Sequence, residues 1–242
     1  MPQERKSKLT SLLFALLTFA AVGYAQNSTN KWQVGLNISP DICYRHIFAT
    51  EGNENIFTTT LINLRNSSEK PKLSYSGGLS VVYQHNPKLF FQAGLNYANL
   101  GYKSEIAGFI GPVEEDFPLS AKDINNFHYL EVPTKVNFIF GENKLQYSVG
   151  AGLSSAYLIE NNNTVVLYYA DSTTRKHLQN QDPYKPFNLF ATLNVGLLYQ
   201  LSNNWQLKLE PTFRYGLLRT SDTPVSGRLY NFGLSSGIYL TL

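Results

Sequence analysis

The stretch RLYNFGLSSGIYLTL, residues 228–242, divides into two faces. Tyr230, Phe232, Leu234, Ile238, Leu240 and Leu242 share one, interrupted only by Ser236, while Asn231, Gly233, Ser235, Gly237, Tyr239 and Thr241 share the other. A period of two is the signature of a β-strand, because successive side chains leave opposite faces of an extended backbone. The polar face here carries no charge at all. A surface in contact with water normally carries more, so the alternation predicts that the apolar face points outward and the small polar face inward.

The same pattern recurs along the chain. Alternation and breakers predict strands over Trp32 to Phe48, Lys72 to Gln84, Leu89 to Ser104, Phe127 to Phe140, Leu145 to Ile159, Phe187 to Leu201, Trp205 to Arg219 and Leu229 to Leu242. Most exceed the ~9 to 11 residues a tilted strand needs to cross a bilayer. Connections alternate in length. Residues 86–88, 141–144 and 202–204 read as tight turns; residues 50–71, 105–126 and 160–186 read as long loops, with a shorter one near 220–228. Short turns on one side and long loops on the other is the layout of an outer-membrane barrel. The expected fold is all-β: an eight-stranded, antiparallel, up-and-down transmembrane β-barrel.

The N-terminus reads as a secretory signal over residues 1–25, leaving residues 26–242 as the barrel domain. Arg5, Lys6 and Lys8 form a basic region, Leu9 to Val22 an apolar core, and Gly23-Tyr24-Ala25 a small-residue site. Removing that segment takes away three basic residues and one acidic residue, so the remainder is close to neutral. That gives no case for a nucleic-acid partner. Charged residues are 15% of the chain, against ~25% in ordinary soluble domains. Tyr and Phe number 16 and 15, which fits a surface that largely avoids water. The expected location is the outer membrane of a Gram-negative cell. An even strand number places both termini on the periplasmic side.

A soluble eight-stranded barrel would need the apolar face inside. The distribution of aromatics argues otherwise. Trp32, Tyr83, Phe91, Phe140, Tyr147, Tyr199 and Trp205 fall at one end of the apolar faces, and Tyr44, Tyr75, Tyr97, Tyr157, Phe187, Tyr215 and Tyr230 at the other. Aliphatic residues lie between, as between the two aromatic girdles of a membrane barrel. Within this frame the segment FHYLEVPTKVNFIFG, residues 127–141, resembles the YLEIP strand of the PorT-like outer-membrane β-barrel proteins of Bacteroidota. The Gly-rich YSVGAGLSSAYL strand and the late RYGLLR strand are also similar to that family. The resemblance implies an eight-stranded OmpA/OmpX-like barrel and, through the family's namesake, a connection with protein secretion.

The inward face carries a small set of charges. Alternation places Asp41 and Arg45 on the first strand, Glu131 and Lys135 on the fourth, and Lys208, Glu210 and Arg214 on the seventh. Residues four apart on one strand are ~13 Å apart, so pairing has to occur across the lumen. Antiparallel order predicts Glu131 opposite Arg214 near the outer end and Lys135 opposite Glu210 nearer the periplasm. An eight-stranded interior is normally just filled by side chains. The expected role of this network is therefore structural, with a narrow solute or proton path as the alternative.

Enzymatic patterns are thin. His46, His128 and His177 fall at or above the outer rim, with Ser104, Ser154 and Ser155 nearby in sequence, and no spacing couples a base to a nucleophile and an orienting acid. A lipid-modifying enzyme is the weaker alternative. Cys43 reads as an inert inward thiol, His85 as an ordinary turn residue, and Glu114-Glu115-Asp116 as a solvated loop tip. No metal or cofactor is implied. The expected partners are outer-membrane lipid and a protein at the outer loops, residues 50–71, 105–126 and 160–186. Ile56 to Leu64 (IFTTTLINL) and Val165 to Ala170 (VVLYYA) are too apolar for free loops, and are expected to extend hairpins above the membrane. The expected function is a non-enzymatic barrel with a structural or accessory role in an envelope assembly.

Overall fold

A computed structural model describes residues 31–106, 118–179 and 184–242. The proposed signal segment and the acidic run at residues 114–116 lie outside these. Strand β1 (Trp32–Ala49) is followed by helix α1 (Ile56–Ser68), β2 (Glu69–Asn86), β3 (Leu89–Ile106), β4 (Ser120–Phe140), β5 (Leu145–Tyr168), β6 (Thr173–Gln179), β7 (Phe187–Gln200), β8 (Trp205–Gly216) and β9 (Val225–Thr241). All pairings are antiparallel, in the order β4-β3-β2-β1-β9-β8-β7-β5-β6, and a further β4–β5 ladder closes the sheet on itself. Eight strands thus form a closed ring, and the short β6 hangs on β5 outside it. Closure is what allows strands to cross lipid, because every backbone donor and acceptor in the ring has a neighbour. No helix among the described residues is long and apolar enough to cross a membrane.

The faces divide as the alternation requires. On β9, Phe232, Leu234 and Ile238 are exposed, while Asn231 and Tyr239 are buried inside. The small faces of β1, β2 and β9 also make room for larger groups. A Cβ on Gly35 or on Gly237 would collide with the ring of Tyr239, which lies in the lumen at the end with the tight turns.

Ladder register groups the aromatics into two belts. Trp32 pairs with Tyr83, Tyr83 with Phe91, and Phe140 with Tyr147 at the turn end. Tyr215 pairs with Tyr230, Tyr230 with Tyr44, and Tyr157 with Phe187 at the other. From Trp205 to Tyr215 a strand rising ~3.3 Å per residue at a tilt of about 40° climbs roughly 25 Å, the height of the apolar band of an outer-membrane barrel.

Two sequence expectations above the outer belt need correction. Ile56 to Leu64 is not a hairpin arm but most of helix α1. Asn55 caps it, accepting a hydrogen bond from the Thr58 amide, and the Thr58 hydroxyl accepts one from the Asn55 amide. This reciprocal capping satisfies amides that would otherwise be orphaned at the helix start. The second and third loops are also shorter than expected. β4 begins at Ser120, and β5 runs to Tyr168 and turns back as β6, so Val165 to Tyr168 does extend a hairpin. Together with the upper part of β3, these strands form a sheet wall rising from one side of the barrel.

Candidate functional site in the barrel lumen

The inward residues of β4 read the lumen from top to bottom. Phe127 and Tyr129 come first, then Glu131 and Lys135, then Asn137 and Ile139. The other strands complete the same three layers. An upper apolar layer gathers Cys43, Leu100, Tyr102, Phe127, Tyr129, Phe190 and Leu229. A lower one gathers Val82, Phe90, Ile139, Leu198 and Tyr239. The charges are held between and above these plugs.

In the middle layer Arg214, from β8, bridges two strands. Its Nη1 lies 2.5 Å from Glu131 Oε2 on β4, and its Nη2 lies 3.2 Å from Asp41 Oδ2 on β1. Asp41 also accepts hydrogen bonds from Ser39 at 2.6 Å and Ser76 at 3.1 Å. Its carboxylate lies over Gly233, in the space a Cβ there would take. One guanidinium against two carboxylates leaves this cluster formally short of a positive charge.

One layer down the balance reverses. Lys135 Nζ lies 2.8 Å from Glu210 Oε2, and Asn194 donates to Glu210 Oε1 at 3.3 Å. Lys208 is buried here, and its Nζ has no hydrogen-bond partner among the described residues. The ammonium sits 4.3 Å from the ring centroid of Phe90 and 4.2 Å from that of Tyr239, held by the negative faces of two aromatic rings. Lys135, Lys208 and Glu210 together carry a net positive charge, opposite to the cluster above.

Arg45, the seventh charge read from the sequence, lies apart from these at the mouth beside α1. Its partner is Glu69 at the start of β2, with Arg45 Nε 2.5 Å from Oε2. Arg65 of α1 reaches the other oxygen of the same carboxylate at 2.7 Å. Arg45 also donates to Asn66 Oδ1 at 2.9 Å and to the Arg65 carbonyl at 3.1 Å. Burial works against the Arg65 charge, but the Glu69 hydrogen bond and the electrostatic contributions of Tyr102, Glu69 and Tyr184 together outweigh it and hold the guanidinium above its ordinary range. Glu69 and α1 were not legible as site residues, since sequence reading starts this strand at Lys72. A cavity of about 150 Å³ opens beside this clamp, lined by Arg45, Arg65, Tyr102, Phe127, Tyr184 and Thr220 among others. On the inner side of the wall, burial first and the Glu69 charge second push the Asp123 carboxyl up.

The histidines make local contacts. His128 meets the hydroxyl of Tyr97 and lies 3.2 Å from Asn162 Nδ2; His177 meets Thr164 at 3.0 Å. Cys43 is buried and accepts a hydrogen bond from the Gly101 amide at 3.3 Å. Among the described residues no three His, Cys, Asp or Glu side chains converge as a metal site.

Comparison with known proteins follows the fold. Solved structures similar to this chain include Neisserial surface protein A, at 14% identity over 90% of this chain and 100% of that one, with a TM-score of 0.45. The attachment invasion locus protein Ail of Yersinia pestis is 10% identical over 88% and 99%, with a TM-score of 0.39. OprG of Pseudomonas aeruginosa is 8% identical over 89% and 99%, also at 0.39. No curated protein matches the chain. The family model described as an outer membrane protein beta-barrel domain matches residues 24–221, and the chain belongs to that family.

Proposed function

We propose that this outer-membrane barrel is a non-enzymatic scaffold that presents its outer surface to a protein partner in an envelope assembly, in the manner of a PorT-like accessory of secretion. Both termini then face the periplasm. The observation that carries this reading is the outer face of α1. Ile56 is 87% exposed, Phe57 73% and Leu64 63%. Three large apolar side chains in water above the membrane mark a contact surface. The free edge of β6, beyond which no strand pairs among the described residues, adds a row of unpaired backbone groups.

The lumen supports a structural role. A solute path would have to cross two apolar layers and two charge clusters whose groups hold one another. The histidine side-chain hydrogen bonds run to Tyr97, Asn162 and Thr164, and among the described residues none reaches a serine or cysteine.

The test is site-specific photo-crosslinking in native outer membranes with a photoreactive amino acid at Phe57, and at Tyr147 as a lipid-facing control. A protein adduct formed from position 57 alone, and lost when Ile56 and Leu64 become Ser, supports the scaffold reading. Adducts to lipid only at both positions contradict it.

A further inference from the structure

We infer that the outer rim where β9 meets β1 is a binding site for the phosphate of an outer-leaflet lipid headgroup, built around Arg228 and His46. This rests on the reading of the barrel as spanning the outer membrane with α1 and β6 outside.

Register fixes the site. Arg228 pairs with His46, two residues beyond the Tyr230 and Tyr44 pair of the outer aromatic belt. Two tilted residues are a climb of roughly 5 Å, and the polar headgroup layer on each side of the hydrocarbon is roughly 5 to 8 Å deep. Gly227 and Leu229 are buried and face the lumen cavity, so Arg228 between them leaves the barrel on its outer side. Its guanidinium is therefore at phosphate depth on the lipid side.

The donors there are unspent. Arg45, Arg65, Arg214 and Arg219 each contact a carboxylate. Arg228 has no acceptor and no ion-pair partner among the described residues, and its Nε is both buried and unmatched. Its guanidinium carbon lies 5.4 Å from the centroid of the Phe48 ring. Phe48 in turn meets the His46 ring at 6.0 Å, tilted by 39°.

The surroundings fit a lipid rather than a free anion. The Thr220 amide donates to the Gly227 carbonyl at 2.8 Å, which fixes the segment after β8 beside Arg228, and Arg219 there is paired with Asp222, leaving Arg228 as the cation without a carboxylate among the described residues. Leu217 and Leu218, each 39% exposed, precede Arg219 on the chain, and the exposed Phe232 lies below on β9. Donors above apolar side chains match a molecule with a phosphate above an acyl chain. A planar guanidinium also takes a phosphate through two parallel hydrogen bonds, which an ammonium cannot do.

The experiment uses the full barrel in mixed micelles containing equal amounts of phosphatidylglycerol and phosphatidylcholine, with native mass spectrometry of retained lipid. Heat-modifiable migration of the same samples reports whether the barrel is assembled, so loss of the site is distinguishable from failure of the membrane reading. The expected result is retention of one phosphatidylglycerol over phosphatidylcholine by roughly tenfold, the scale of charge-assisted hydrogen bonds. Arg228→Ala abolishes the preference, Arg228→Lys keeps part of it, and Lys144→Ala at a periplasmic turn leaves it intact. Inorganic phosphate does not displace the lipid. The inference is overturned if an assembled barrel shows no preference, if Arg228→Ala retains it, or if phosphate alone displaces the lipid.

Discussion

Arg214 and Glu131 meet across the lumen at 2.5 Å, joining β8 to β4, and the same guanidinium holds Asp41 of β1. The three strands are separated around the ring, so the contact braces the barrel through its centre. Arg214→Met leaves two carboxylates buried without their cation, a loss of about 3 to 5 kcal/mol. Adding Glu131→Gln restores part of this, so the double variant costs less than the sum of the single ones. Urea titration of folding into lipid vesicles measures both. Gly233→Ala is also expected to destabilise, because its methyl group displaces the Asp41 carboxylate.

The lower cluster predicts an asymmetry. Lys208 makes no hydrogen bond among the described residues and rests on two rings. Lys208→Met keeps the packing and removes a buried charge, and is expected to be neutral or stabilising by about 1 kcal/mol or more. Glu210→Gln leaves two buried cations facing each other and costs about 3 to 5 kcal/mol. The same titration decides the matter; equal losses for the two variants contradict the reading of Lys208 as an unpaired charge.

Helix α1 depends on its cap. Asn55→Ala removes the bond to the Thr58 amide and is expected to cost about 1 kcal/mol locally. Hydrogen exchange checks this: amides of Thr58 to Arg65 exchange roughly fivefold faster while those of β1 and β2 do not change.

Asp222 ties the β8–β9 connection to Lys185. The Lys185 hydrogen bond in the first place, and the Arg219 charge with it, hold its carboxyl below the ordinary carboxylate range. A depressed carboxyl stabilises the folded connection at all pH values above the unfolded value of about 4, and the contribution fades as pH falls through the folded value. An NMR titration of the Asp222 side chain is expected to show a midpoint below about 4 that moves up in Lys185→Ala.

The ring strands were legible because lipid on one side and a packed lumen on the other impose a strict period of two. Above the outer belt that pressure ends. The ENNNTVVLY arm of β5 has water or protein on both faces, so its polar residues no longer alternate and its length was underestimated. IFTTTLINL misled for a related reason: its Thr and Ile residues favour strands, yet Asn55 and Thr58 cap a helix there. Among the lumen charges, side was legible from alternation and depth from antiparallel order, which brought Glu131 to Arg214 and Lys135 to Glu210. Glu69 escaped because it was assigned to a loop, although an inward Arg45 without a cross-lumen acid already called for a partner.

The apolar face of each ring strand meets lipid and the small polar face meets the lumen. Nitroxide scanning of β9, one position at a time from Tyr230 to Leu240 in bilayers, tests it most directly through collision with oxygen and with a water-soluble nickel chelate. High oxygen accessibility is expected at Phe232, Leu234, Ser236 and Ile238, with low accessibility to both reagents at Gly233, Ser235 and Gly237. Nickel accessibility at Phe232 and Ile238 matching that of a solvated surface, or no period of two across the strand, would contradict it.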